Sequence, residues 1–121
     1  MINDNMLSGV AALLVGSSYT IPAYLAFGST TGTLAAADTI TSGEFSRTAL
    51  TSTAQSVAIA KFIGSRSSAS ANNEYINMVG LHNAATLRSS GNLQGAFLVA
   101  SLLHTTAFDV GVEFWIEATR V

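Results

Sequence analysis

Two histidines, His82 and His104, are the residues of this 121-residue chain best suited to move a proton or hold a metal. As a general base, His82 would need a hydroxyl and a carboxylate within hydrogen-bond reach. Serine and threonine abound here, so their presence selects nothing, and the chain carries no G-x-S-x-G elbow. As metal ligands, the two histidines would need a third donor such as Asp109, and their 22-residue separation matches no compact site. The chain has no cysteine, which excludes a disulfide framework and a thiolate centre. Each histidine is therefore expected to mark a strand end, its ring nitrogens bonded to backbone or water. No catalytic residue, metal ligand or cofactor is assigned, and the chain is expected not to be an enzyme.

The segment "GSTTGT" has the glycines and hydroxyls of a phosphate loop but lacks its lysine and spacing. Gly28 and Gly32 are expected to supply positive φ in a turn after a strand. Glu113 and Glu117 lie four residues apart on one strand face, about 13 Å along the strand, too far for a paired acid and base. Trp115 between them could stack on a sugar. Aromatic anchors of this kind are enriched in partner interfaces, so Trp115, Glu113 and Glu117 are assigned to an interface.

The elements that carry these residues follow from periodicity. Ile2, Met6, Val10 and Leu14 recur every fourth residue, with Leu7 and Ala11 beside them, which predicts an N-terminal helix over 1–16 whose stripe covers one end or face of a sheet; the alternative is a docking arm onto a neighbour. Asn3 is a candidate cap, and Gly16 a stop. The run lacks a basic n-region and is too short to span a membrane, so it reads as part of the fold. From residue 20 onward the signals are those of strands: "TIPAYLAFG", "EFSRTAL", "QSVAIAKFIGS", "EYINMVGLH", "LQGAFLVASLL" and "DVGVEFWIEATRV". Between the first two runs "STTGTLAAADTITSG" reads as a long loop. In the last run Val110, Val112, Phe114, Ile116 and Ala118 alternate with Gly111, Glu113, Trp115, Glu117 and Thr119, which predicts one core face and one outer face. The expected fold is mainly β: a single domain over 1–121, an antiparallel β-sandwich or barrel-like body over 20–121, and one N-terminal α-helix.

Charged residues make up only 10% of the chain, five basic and seven acidic, and they are scattered. No basic stripe for nucleic acid results, so neither nucleic acid nor membrane is expected as a partner. So little charge on a chain 49% hydrophobic suggests a surface partly covered by other chains.

The order of elements resembles small structural proteins of tailed phages. In that pattern a strand ending "A-x-G-T-G-T-T" leads through a "D-T" segment to "E-x-x-R". Here Ala26, Gly28, Thr30 and Thr31 fall on the first part, Asp38 and Thr39 on the second, and Glu44 and Arg47 on the third. Val79, Gly80, Leu81, Asn83, Ala84 and Ala85 match the core of a later segment, with His82 where the family usually has Phe. On that substitution His82 takes a packing position, and His82→Phe is expected to be tolerated. The resemblance implies a non-enzymatic virion protein made in the host cytoplasm. The form expected is a capsid decoration (cement) protein, a homo-oligomer, most simply a trimer, on the exterior of the major capsid protein. The alternative is a tail protein of the collar, tube or baseplate, or a fibre-associated carbohydrate-binding module using Trp115.

Overall fold

The computed structural model describes residues 1–38, 41–87 and 93–119. Thr39, of the resemblance, and the far end of the loop after Ala85 lie outside them. One helix, α1 (Asp4–Leu14), precedes seven strands: β1 (Tyr24–Gly28), β2 (Glu44–Ala49), β3 (Ser52–Ser56), β4 (Ile59–Arg66), β5 (Glu74–His82), β6 (Leu93–His104) and β7 (Val110–Glu117). They form two antiparallel sheets, ordered β2-β1-β5-β6 and β3-β4-β7. The sheets stay separate, so the body is a sandwich, and the barrel-like alternative is excluded.

Between the sheets lie Leu25, Phe27, Ile76, Val79 and Leu81 of the larger sheet and Phe114 of the smaller one, joined by Met6 of α1. Leu25 and Phe27 are wholly buried. Each such side chain contributes about 1.5–3 kcal/mol by leaving water. Phe97 and Phe114 meet across the layers, ring centroids 5.1 Å apart and tilted, as quadrupoles prefer.

The run "QSVAIAKFIGS" is two strands. Val57 and Ala58 turn β3 back onto β4, with Ser56 facing Ile59. No Asn-Gly or Asp-Gly signals this hairpin. Val57 sits instead at φ 53°, a region a β-branched residue rarely occupies. β3 is exposed along its whole length, so it carries no apolar alternation to betray it.

Helix α1 ends as Gly16 dictates. Gly16 has φ 78°, its N–H bonds Leu13 O at 3.1 Å, and Ser17 N–H reaches back to Ala12 O at 2.8 Å. Its buried face differs from the expected stripe. Met6 and Gly9 point inward, whereas Val10 and Leu14 are exposed, Leu14 by 82%. Ile2 lies outside the helix as a bridge to Gly95. The cause is Tyr19: its ring lies where a Cβ on Gly9 would be, so the helix settles with its glycine against that ring. The Tyr19 hydroxyl donates to Gln94 Oε1, and burial raises its pKa. Asn3 occupies the N-cap position, but its side chain does not cap. Its Nδ2 donates to Asp38 O at 2.9 Å and to Ala36 O at 3.3 Å, tying down the loop before β2.

That loop roofs the outer face of the four-stranded sheet. Beneath it the strands present small residues, Ala26, Gly28, Gly80 and Ala96, and the roof drops onto them. A Cβ on Gly80 would overlap Thr41 Oγ1, and one on Gly28 would come within 2.6 Å of Ser42 O. Gly28 thus serves close approach. Among the described residues positive φ among glycines occurs at Gly16 and Gly43, not at Gly28 or Gly32.

Candidate functional site

The outer face of the three-stranded sheet carries the assigned interface residues. Glu113, Trp115 and Glu117 point outward from β7 while Phe114 is buried. Trp115 is 54% exposed. The register sets Lys61 of β4 opposite Trp115, with Ile63 and Ile59 opposite Glu113 and Glu117. Lys61 Nζ stands 4.4 Å from the indole ring, and the indole N–H donates to Glu113 Oε2 at 3.2 Å. An exposed cation–π contact contributes about 0.5–1 kcal/mol. These two contacts favour one orientation of the exposed indole. Lys61 was not singled out from the sequence. Its alternation with Ala60 and Phe62 is visible there, but its place beside Trp115 needs the β4–β7 register.

The histidines are at opposite ends of the larger sheet. His82 pairs with Leu93 at what we call the upper end, and His104 pairs with Glu74 at the lower end. The eight-residue step along β5 separates these levels by about 27 Å, so the two rings cannot share a metal. Among the described residues no three of His, Cys, Asp and Glu gather where they could hold a metal ion.

His82 ends β5, as expected, and is fully buried under the roof. Its Nε2 lies 2.7 Å from Thr41 Oγ1, and Thr41 is itself 1% exposed. A hydroxyl and an imidazole at this distance could serve as nucleophile and base. Here both are sealed from solvent, and the pair acts as a buried peg between roof and sheet. A partner of the ring is thus a side-chain hydroxyl, where backbone or water was expected.

Beside it, Glu44 and Arg47 form a buried bidentate pair: Nε to Oε1 at 2.6 Å and Nη2 to Oε2 at 2.9 Å. Arg47 Nη1 also donates to Ala84 O at 2.8 Å. Residues three apart in a strand normally face opposite ways. A β-bulge resolves this: Glu44 faces Gly28 and Ser46 faces Phe27, leaving Phe45 unopposed, so Glu44 and Arg47 share the outer face.

At the lower end His104 is also fully buried and does end its strand. Arg66 Nη1 lies 2.7 Å from His104 Nδ1, and His104 Nε2 lies 2.9 Å from Phe108 O. Guanidinium can only donate, so Nδ1 accepts and Nε2 carries the proton. Arg66 further donates to Ser70 O at 2.7 Å and pairs with Glu74 at 3.3 Å. Asp109 is spent locally. Its Oδ1 accepts the Ser68 N–H at 2.6 Å, which holds the carboxyl below its usual range. The loop "GSTTGT" is likewise self-satisfied: the Thr30 N–H goes to Asn77 Oδ1 at 2.8 Å and the Gly32 N–H to Thr30 Oγ1 at 3.0 Å.

Among the described residues, two apolar clefts open on the surface. The upper one, about 480 Å³, runs between α1 and the three-stranded sheet, past Met6, Val10, Leu13, Pro22, Phe62 and Ile116. The lower one, about 550 Å³, opens between β6 and β7 onto Ile76, Val79, Phe97, Val99, Leu102 and Val112. Large apolar side chains also stand in solvent on α1 (Leu7, Val10, Leu13, Leu14) and on β6 (Leu98, Val99, Leu102, Leu103). No described helix is long and apolar enough to cross a membrane. No protein-family model matches this chain, and neither a curated protein nor a solved structure matches it.

Proposed function

We propose that this chain is a non-enzymatic structural protein of a tailed-bacteriophage virion, a decoration protein that assembles with itself and clamps the outer surface of the capsid. The observation that carries the reading is the amount of large apolar surface left uncovered: the outward side of α1, the flank of β6, and Trp115. Contiguous apolar surface of this kind marks a protein–protein contact. The motif pattern of phage structural proteins, from Ala26 through Arg47 and again over Val79 to Ala85, supplies the virion context. Residues that could do chemistry are used up in the fold: Thr41 with His82, Glu44 with Arg47, and Arg66 with His104 and Glu74.

The test is binding of the purified chain to emptied heads and, separately, to isolated tails of the parent phage, followed by electron microscopy. Saturable, regular density on the capsid exterior is the expected outcome, as is greater resistance of decorated heads to heat. Density confined to the tail would assign the chain to the collar, tube or baseplate. Binding to neither particle would overturn the virion reading.

A further inference from the structure

Building on the assembly reading above, we propose that copies of this chain join head to tail, the outward apolar face of α1 in one copy filling the lower cleft between β6 and β7 of the next.

Helix α1 is apolar on nearly all sides. Asp4 is its sole charged residue, and while Met6 and Gly9 face the core, Leu7, Val10 and Leu14 face solvent. A helix apolar around its circumference is stable when enclosed on both sides. The lower cleft is the matching vacancy. Ile76 and Val79 belong to the core and Phe97, Val110 and Val112 pack on it, yet all of them line an opening. Glu113 at its rim is the sole charged lining residue.

The molecule already shows how such an opening is closed. On the upper half of the same β6–β7 side, Met1–Asn3 run along β6: Asn3 N–H bonds Gln94 O at 2.9 Å and Ala96 N–H bonds Met1 O at 2.9 Å. Met6 then enters the cluster that contains Phe114. An apolar helix seals that half, and the lower half lacks one. A strand is a poorer filler there. The pairing of β6 with β5 shifts between Ile76 and Met78, whose partners Leu102 and Leu98 are four residues apart, so the edge is bulged and ill suited to extend the sheet.

The occupant is a second copy for two reasons. Asp4 at the start of α1 and Glu113 at the rim of the cleft are both exposed, and the remaining helix and lining residues are uncharged, so the joined surfaces bury no unpaired charge. Each molecule also brings one convex helix and one cleft that its own α1 does not border, so a head-to-tail contact uses both and leaves neither bare once a ring closes. A two-fold contact of cleft on cleft would set two concavities together and leave the helix in solvent.

Native mass spectrometry of the wild type, Leu14→Lys, Val99→Glu and their equimolar mixture tests the proposal. The wild type should be a closed oligomer. Each variant alone should be monomeric, its self-association weakened by about a hundredfold or more, as for loss of an interface hot spot. The mixture should give a one-to-one heterodimer, because the intact cleft of the Leu14→Lys copy accepts the intact helix of the Val99→Glu copy. Melting curves identify any misfolded variant, and Leu102→Ser replaces Val99→Glu if the latter unfolds. Full wild-type oligomer from Leu14→Lys, or no heterodimer in the mixture, would overturn the head-to-tail contact and leave the virion reading standing. A wild-type monomer that still coats heads would do the same. A wild-type monomer that binds neither heads nor tails removes both.

Discussion

The two sheets treat their outer faces in opposite ways. On the three-stranded sheet the outer face meets solvent, with Lys61, Glu113, Trp115 and Glu117 on it. On the four-stranded sheet it is roofed by the loop before β2 and holds a second buried layer, with Met78, Leu93 and Ala96 beside the pairs Thr41–His82 and Glu44–Arg47. The lesson is that the same alternation of side chains builds one interior in the first case and two in the second. A strand buried on both sides must be small or self-satisfied on its second face, because a buried polar group without a partner costs about 1–3 kcal/mol.

The largest effect expected is from breaking the roofed face at its ion pair. Arg47→Met takes the guanidinium away from the Glu44 carboxylate, whose side chain is 0% exposed, and should cost about 3–5 kcal/mol in urea unfolding. A loss below about 1 kcal/mol would mean that the pair does not anchor the roof. On the open face, neighbours on one strand should diverge. Phe114→Ala should cost about 3 kcal/mol, whereas Trp115→Ala should cost no more than about 1 kcal/mol, the scale of its exposed contact with Lys61, and weaken assembly instead. Equal losses at both positions would show that the face of β7 is also covered in the isolated chain.

His82→Phe sharpens the contrast. With Nε2 bound to Thr41 Oγ1, the aromatic replacement leaves a buried hydroxyl unmet, so a loss of about 1–3 kcal/mol replaces the tolerance that the family pattern implied. An unchanged melting temperature would show that the histidine is only filling space. The smallest effect concerns acid. Hydrogen bonds and Arg66 depress the carboxyl of Glu74, and the Ser68 amide depresses that of Asp109. A depressed carboxyl stabilises the fold above its unfolded pKa, and that contribution is lost as pH falls through the folded value. The lower end should therefore loosen below about pH 4, where free carboxyls protonate, and Asp109→Asn should flatten that dependence in a pH series of melting curves.

Much of this architecture was legible. The run from Glu74 to His82 coincides with β5, and the inward and outward residues of β7 follow the alternation from Val110 to Glu117. Glu113, Trp115 and Glu117 share a face for that reason. What escaped the reading depended on distant partners. The rotation of α1 follows from Tyr19 lying against Gly9, and β3 is a polar strand held by its neighbour alone. The second buried layer is hidden because Ala, Gly, Thr and His under a loop look like any polar connection. Lys61 joins Trp115 by register, which no local spacing encodes.

The bulge at Phe45 has a consequence for how this chain can change over generations. Because Phe45 is the unopposed residue, losing one codon there would remove the bulge and leave Glu44 and Arg47 two positions apart, still on one face of a regular strand. The charge pair is compatible with a spacing of three across the bulge or of two without it. This point of β2 can therefore shorten by one residue without separating its charges.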